Sequence, residues 1–330
     1  MRFIDRDEVA KRLTYDVCIP IVRDAMIAFS KGQTRQLLRS AIPLADGHLF
    51  FIMPGALGEA ASFGAKLLSV FPDNPGQGRR SHQGIVVLFE PSTGEPVCIL
   101  DAGEITAIRT GAASAVATDA LARPASHVLA IAGYGHQAMT HARAMCRVRD
   151  IRSIRVWGRS AERAEACCTS MSAEFGIPVT RAANVQELVA EADIVCTVTS
   201  AREPILKGEW VRPGTHVNVV GSSIAGPVEI DNDLVARSRF FVDSREGVLR
   251  QGSEFLNAKD AGLIGDEHIL AEIGQVLAGE AVGRQSDGDV TIYKSLGHVV
   301  QDLASAWALY SESPTPAQWT SGKTSEGVKG

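Results

Sequence analysis

In residues 17–31 the apolar positions Ile21, Val22, Ala25, Met26 and Phe29 recur at helical spacing, and Gly32 follows as a stop. The pattern predicts a helix there, after a short opening strand. The next seventy residues read differently. Short apolar runs at 48–55, 63–72, 84–91 and 96–103 are broken by Gly, Pro and Asn, which predicts strands. Residues 90–96, Glu-Pro-Ser-Thr-Gly-Glu-Pro, read as a hairpin turn. Asp101 and Glu104 have the spacing of a capping box, opening an Ala-rich helix that ends near Pro124.

From His127 strands and helices alternate. Residues 127–133, 153–158, 178–182, 192–200, 215–221 and 239–244 are predicted strands, with helices over 161–176 and 184–192 among them. Such an array gives a mostly parallel sheet covered on both faces. Asp231 is placed as the cap of a following helix. In 295–310 the residues Leu296, Val299, Val300, Leu303, Trp307 and Tyr310 form one helical stripe. That stripe needs a partner, and the N-terminal β region is the expected one. The predicted class is α/β. A Rossmann domain over 121–294 joins a smaller β-rich α+β domain over 1–120 that helix 295–310 completes. The polar residues 311–330 form a flexible tail.

The motif with the clearest chemistry is Gly133-Tyr134-Gly135-His136-Gln137-Ala138, a GxGxxA. It follows an apolar strand and opens a helix, the context that a dinucleotide fingerprint requires. Gly133 permits the turn, Gly135 lets backbone approach a pyrophosphate, and Ala138 allows close helix–strand packing. At the end of the second strand stand Trp157-Gly158-Arg159-Ser160, with no carboxylate for a ribose 2′-hydroxyl. Arg159 suits a 2′-phosphate, so the cofactor is NADPH or NADH, with NADP(H) favoured. Thr199, Val220 and Ser222, at the ends of later strands, complete the expected cofactor surface.

Composition excludes other classes. A net charge of −5 gives no basic excess for nucleic acid. No apolar run reaches the length of a membrane span, and the N-terminal stretch lacks a signal peptide's apolar core. None of the six cysteines forms a CxxC pair, so reduced thiols in a cytoplasmic protein and no metal site are expected.

The runs Ser81-His82-Gln83-Gly84, LFEPSTGEP, LDAGEITAIRTGAASAVAT, GYGHQA, VWGRS and TIYKSLGHVVQDLASA occur in the order seen in the ornithine cyclodeaminase/μ-crystallin family, which the chain resembles over nearly its whole length. The resemblance implies a Rossmann domain and a β-rich substrate and dimerisation domain, hence a homodimer. It implies that Arg109 holds a substrate carboxylate, that Lys66 is an active-site lysine and that Arg39 lies at the pocket. The chemistry agrees, since a guanidinium binds a carboxylate in bidentate fashion and a lysine among apolar neighbours has a depressed affinity for its proton. The bland alternative for Lys66 is an outward-facing strand lysine. His82 and Gln83 flank the same region.

Family members include ornithine cyclodeaminases, ketimine reductases, alanine dehydrogenases and iminosuccinate reductases, so residues must decide. The cyclodeaminases carry an aspartate where this chain has Ser223, and the family's imine-reducing branch has serine. A hydroxyl cannot act as a carboxylate base near neutral pH. The expected reaction is NAD(P)H-dependent reduction of a small 2-imino acid to an L-amino acid, either a cyclic ketimine or iminosuccinate. Cyclodeamination of ornithine and non-catalytic ligand binding are the alternatives. A dicarboxylate would need a second cation, for which Arg79, Arg80, His82 and Arg39 are the candidates.

Overall fold

The computed structural model describes residues 1–58 and 62–311. Two sheets organise them. The first has seven strands, in the order Arg2–Ile4, Pro96–Asp101, His82–Phe89, Phe63–Val70, Leu49–Ala56 and Arg35–Gln36, with Ser40–Pro43 also paired to Leu49–Ala56. Its first pair is parallel and the rest antiparallel.

Strand periodicity decides which residues meet the core. Met53, Lys66 and Val86 lie opposite one another across three strands, and all are buried with Phe51, Leu68, Leu88 and Leu100. Over this face lie the helices Ala102–Leu121 and Val299–Ser311, with Tyr15–Ser30 packed against both. Lys66 therefore points inward, and the outward-facing alternative fails. The other face carries Ile52, Leu67, Ile85, Val87 and Ile99, all half-buried. Phe3 and Phe63 on that side are 66% and 37% exposed.

The second sheet has eight strands, all parallel: Val179–Arg181, Ser153–Trp157, Val128–Ala132, Ile194–Thr197, His216–Val219, Thr291–Lys294, Arg239–Val242 and Ile269–Glu272. The predicted βαβ array is present. Two strands were not anticipated, Ile269–Glu272 and Thr291–Lys294, and the latter inserts between strands formed much earlier in the chain. Both are short, and Thr291–Lys294 is buried on both faces.

Three local expectations need correction. Asp101 caps the helix Ala102–Leu121 by accepting from the Glu104 N–H at 2.7 Å, but the Glu104 carboxylate accepts from Arg80 instead of closing the box. The helix predicted over 184–192 is only Val185–Val189. The last helix begins at Val299, so Leu296 precedes it and packs in the core of the second sheet. Asp231 does cap the next helix, accepting from Leu234 N–H at 2.9 Å. No described helix is long and apolar enough to cross a membrane. The tail prediction for 312–330 lies outside the described residues.

Candidate active site

The helix Ala102–Leu121 owes its close packing to small residues. A Cβ at Gly111 would lie 2.8 Å from the Thr140 carbonyl oxygen, so only glycine lets the neighbouring helix His136–Val148 come this near. The same helix carries Arg109 inward, where it is 5% exposed. Strand Phe63–Val70 brings Lys66, at 1% exposure, to meet it. Between them stands Asp302 of the last helix, fully buried. Lys66 Nζ donates to Asp302 Oδ2 at 2.7 Å and Arg109 Nε donates to Asp302 Oδ1 at 2.9 Å. Arg109 Nη1 also donates to Gln301 Oε1 at 2.7 Å, and Thr106 Oγ1 lies 3.4 Å from Lys66 Nζ.

Arg39 joins this cluster from the segment between Arg35–Gln36 and Ser40–Pro43. It donates to the carbonyls of Leu296, at 2.7 Å, and Ser223. Burial lowers Arg39 to about 10, with Asp243 opposing. Burial lowers Lys66 to about 8, against the pull of Asp302 and with the help of Arg109 and Arg39. Burial also disfavours the charge on Asp302, but Arg109 and Lys66 outweigh it and hold its carboxyl below the ordinary range. His298 is held at about 4 by burial, as is His82, whose charge Lys66 and Arg109 disfavour further. His82 keeps a solvent-facing edge in this chain, yet it shares the field of the cluster. Arg39, Lys66 and Arg109 against Asp302 leave net positive charge, the electrostatics of an anion site. Gly297 completes it: with φ +82° and no side chain, it lets the backbone pack close against the Arg109 guanidinium, where a Cβ would crowd Nη1 and Nη2.

Arg80 does not join this set. It is ion-paired with Glu104 at 2.7 Å, and Arg6 lies 3.5 Å from the same carboxylate. Arg79 is exposed, and Gln83 lies at the exposed end of its strand.

The dinucleotide motif sits where the sequence places it. Gly133 has φ +126°, and a Cβ there would press on the Val198 carbonyl at 2.8 Å. Gly135 caps the helix His136–Val148 without a side-chain acceptor, and nothing lies within 4 Å of the Cβ it lacks. This open cradle beside the first-turn N–H groups of His136 and Gln137 fits a pyrophosphate. The Tyr134 ring packs against Gly158, where a Cβ would meet it at 2.0 Å, and Arg163 lies 4.7 Å over the same ring. Trp157 is half-buried at the strand end and Arg159 is exposed. Ser160 caps the helix Ala161–Phe175, accepting from Arg163 N–H at 3.3 Å.

Other predicted cofactor residues have their polar groups committed within the protein. Thr199 donates its N–H and its hydroxyl to Glu229, both at 2.7 Å, and Val220 is buried. Ser222 is buried between Lys294, whose Nζ donates to its hydroxyl at 2.7 Å, and Glu254. Glu254 also pairs with Lys294 at 2.7 Å.

Sequence reasoning missed Asp302, Gln301, His298 and Lys294. Asp302 carried one signal: an acidic residue flanked by Val299, Val300 and Leu303 in an otherwise apolar helix. A charge so placed needs a partner.

Over residues 2–315 the chain matches the ornithine cyclodeaminase/mu-crystallin family. The ketimine reductase mu-crystallin of Rattus norvegicus is 35% identical over 326 residues, covering 97% of this chain and 98% of the rat protein. Among solved structures, the Delta(1)-pyrroline-2-carboxylate reductase of Thermococcus litoralis, in complex with NADH and L-proline, superposes with a TM-score of 0.92 at 33% identity, covering 94% of this chain and 97% of that one. An archaeal alanine dehydrogenase dimer with bound NAD gives a TM-score of 0.88 at 30% identity, covering 94% and 95%. The fold, the glycine cradle and these likenesses agree: the chain belongs to the ornithine cyclodeaminase/mu-crystallin family.

Proposed function

We propose that this protein is an NAD(P)H-dependent reductase of a small cyclic 2-imino acid, such as pyrroline- or piperideine-2-carboxylate, yielding the L-amino acid. The observation that carries this reading is the buried junction of Lys66, Arg109 and Asp302 beside Arg39. It offers one carboxylate site and one proton donor in the same place. Arg109, with Arg39 at its side, binds the substrate carboxylate. Lys66 holds its proton at neutral pH but only loosely, and gives it to the imine nitrogen. The Lys66 N–H bond breaks, the substrate N–H bond forms, and solvent recharges the amine. The bound dinucleotide supplies the hydride. The open cradle at Gly135 and the residues Gly133, His136, Gln137, Ala138, Trp157, Gly158 and Arg159 would hold it. With Arg159 exposed at the second strand end and no carboxylate in Trp157–Ser160, NADPH is the preferred form.

Cyclodeamination lacks its acid/base. Ser223 stands at the position concerned, and its carbonyl accepts a hydrogen bond from Arg39. A dicarboxylate is short of a second cation, because Arg80 is ion-paired with Glu104, Arg79 is exposed, and Arg39 is placed beside Arg109 at the first carboxylate. We therefore rank cyclic ketimines over iminosuccinate. We assign residues 1–120 with the helix Val299–Ser311 to substrate binding and dimerisation, and 121–294 to the dinucleotide. The half-covered apolar face of the first sheet, with Phe3 and Phe63 exposed, supports a homodimer. The cysteines are all unpaired, and burial raises the Cys18 and Cys196 thiols to about 12, in keeping with the reducing cytoplasm.

The test compares kcat/KM with NADPH for 1-piperideine-2-carboxylate and for iminosuccinate formed from oxaloacetate and ammonia. The cyclic substrate should win. A preference for the dicarboxylate that disappears in Arg80→Ala or His82→Ala would overturn the ranking.

A further inference from the structure

We propose that Asp302 is the positioning residue of this site: from the last helix it holds Lys66 and Arg109 in one frame and, as their shared counter-charge, sets the pH range in which Lys66 carries a proton. The mechanistic part of this rests on the reading above. The charge linkage does not.

The geometry carries it. One carboxylate bridges two cations that come from separate elements, a strand and a helix, using a different oxygen for each. Asp302 is fully enclosed, so water cannot take over either bond. The bridge occupies Arg109 through Nε, and Gln301, its neighbour on the last helix, occupies Nη1. A guanidinium fixed along one edge in this way presents the remainder to a ligand in a set orientation. Lys66 gives one N–H to Asp302 and a longer one to Thr106 Oγ1, and keeps its third for substrate.

The groups facing Lys66 can be counted by element. The last helix supplies Asp302, the long helix Ala102–Leu121 supplies Arg109, and the segment before Ser40–Pro43 supplies Arg39. His298 precedes the last helix and His82 opens the strand His82–Phe89; both are neutral near physiological pH. Among these described groups Asp302 is the anion, opposed by two cations and by burial. Without it, nothing in the set favours the ammonium form of Lys66, and the proton donor is lost at a lower pH.

Asp302→Asn keeps the shape and removes the charge. The alkaline limb of kcat for imine reduction should move down by roughly one pH unit or more, so that activity lost at pH 8 returns at pH 6. Asp302→Glu, which restores the charge, should move the limb back. A limb that stays put in Asp302→Asn while KM rises equally at every pH would overturn the proposal. A second measurement is free of turnover and of the fate of the Asn variant. With 13Cε-labelled lysine, the Lys66 resonance (assigned with Lys66→Arg) is titrated in the wild type and in Arg109→Gln. Removing Arg109 should raise the Lys66 midpoint, since it takes away a repelling cation and leaves Asp302 to Lys66 alone. An unchanged or lower midpoint contradicts the shared counter-charge. If the wild type reduces no imine at all, the proposed reaction fails, and the same titration in Asp302→Asn, where the Lys66 midpoint should fall, still decides the role of Asp302.

Discussion

Gly297→Ala should damage substrate binding through a single added methyl group. Two costs can be worked from the structure. The residue has φ +82°, and placing an alanine in this left-handed region costs about 1–2 kcal/mol. The new Cβ would stand 2.9 Å from Arg109 Nη1 and 3.1 Å from Nη2, well inside ordinary contact. The guanidinium must retreat by about half an ångström to restore a normal carbon–nitrogen separation. Its retreat strains the 2.7 Å bond to Gln301 and the 2.9 Å bond to Asp302. Losing one such charged hydrogen bond costs about 1.5–3 kcal/mol. The backbone cost falls on stability and the guanidinium cost on carboxylate recognition. We expect a loss of about 1–2 kcal/mol in urea unfolding and a fall in kcat/KM for the imino acid of roughly ten- to a hundredfold. Steady-state kinetics and denaturant titration measure the two separately. A folded variant with kcat/KM within about twofold of wild type would refute the argument that close packing of Gly297 fixes the Arg109 guanidinium for the substrate.

Four further outcomes follow from the structure. Gly135→Asp should abolish dinucleotide binding while the protein melts near the wild-type temperature, because its side chain enters the open space proposed for pyrophosphate; Gly133→Ala should instead destabilise the fold, since its Cβ meets the Val198 carbonyl, and equal NADPH affinity in Gly135→Asp would remove the site assignment. Arg159→Asp should shift preference from NADPH toward NADH, and an unchanged ratio of dissociation constants would mean that Arg159 does not reach the 2′ position. In the proposed mechanism imine reduction needs Lys66 charged, and a lysine is charged below its pKa; with Lys66 at about 8, kcat should be level below that pH and fall above it, while the reverse oxidation rises. A profile of kcat for reduction that stays flat to pH 10 would contradict Lys66 as the proton donor.

The glycine-rich turn between strand and helix was legible because its signal is local. Gly133, Gly135 and Ala138 act within one turn, and the strand before them and the helix after them are continuous in sequence. Lys66 and Arg109 were legible as charges in apolar settings, read together with the family's motif order. Their meeting was not, since 43 residues of numbering separate them and the joining group, Asp302, lies on a helix nearly two hundred residues further on. The apolar neighbours of Asp302 in the last helix signal that it needs a partner, but nothing in the spacing names Lys66 and Arg109 as that partner. The strand Thr291–Lys294 escaped for a related reason: a four-residue strand buried on both faces has no alternation to read, and its place is fixed by pairing with His216–Val219 and Arg239–Val242. Likewise the spare cation at Arg80 became an ion pair only when folding set it against Glu104.

The central claim is net imine reduction without deamination, and reaction stoichiometry tests it most directly. The protein is incubated with NADPH and 1-piperideine-2-carboxylate, and separately with NAD and L-ornithine, while nucleotide absorbance and free ammonia are followed together. The account predicts one NADPH oxidised per cyclic amino acid formed in the first mixture, and no ammonia in the second. Ammonia released from ornithine with no net change in nucleotide, alongside inertness toward the ketimine, would contradict it.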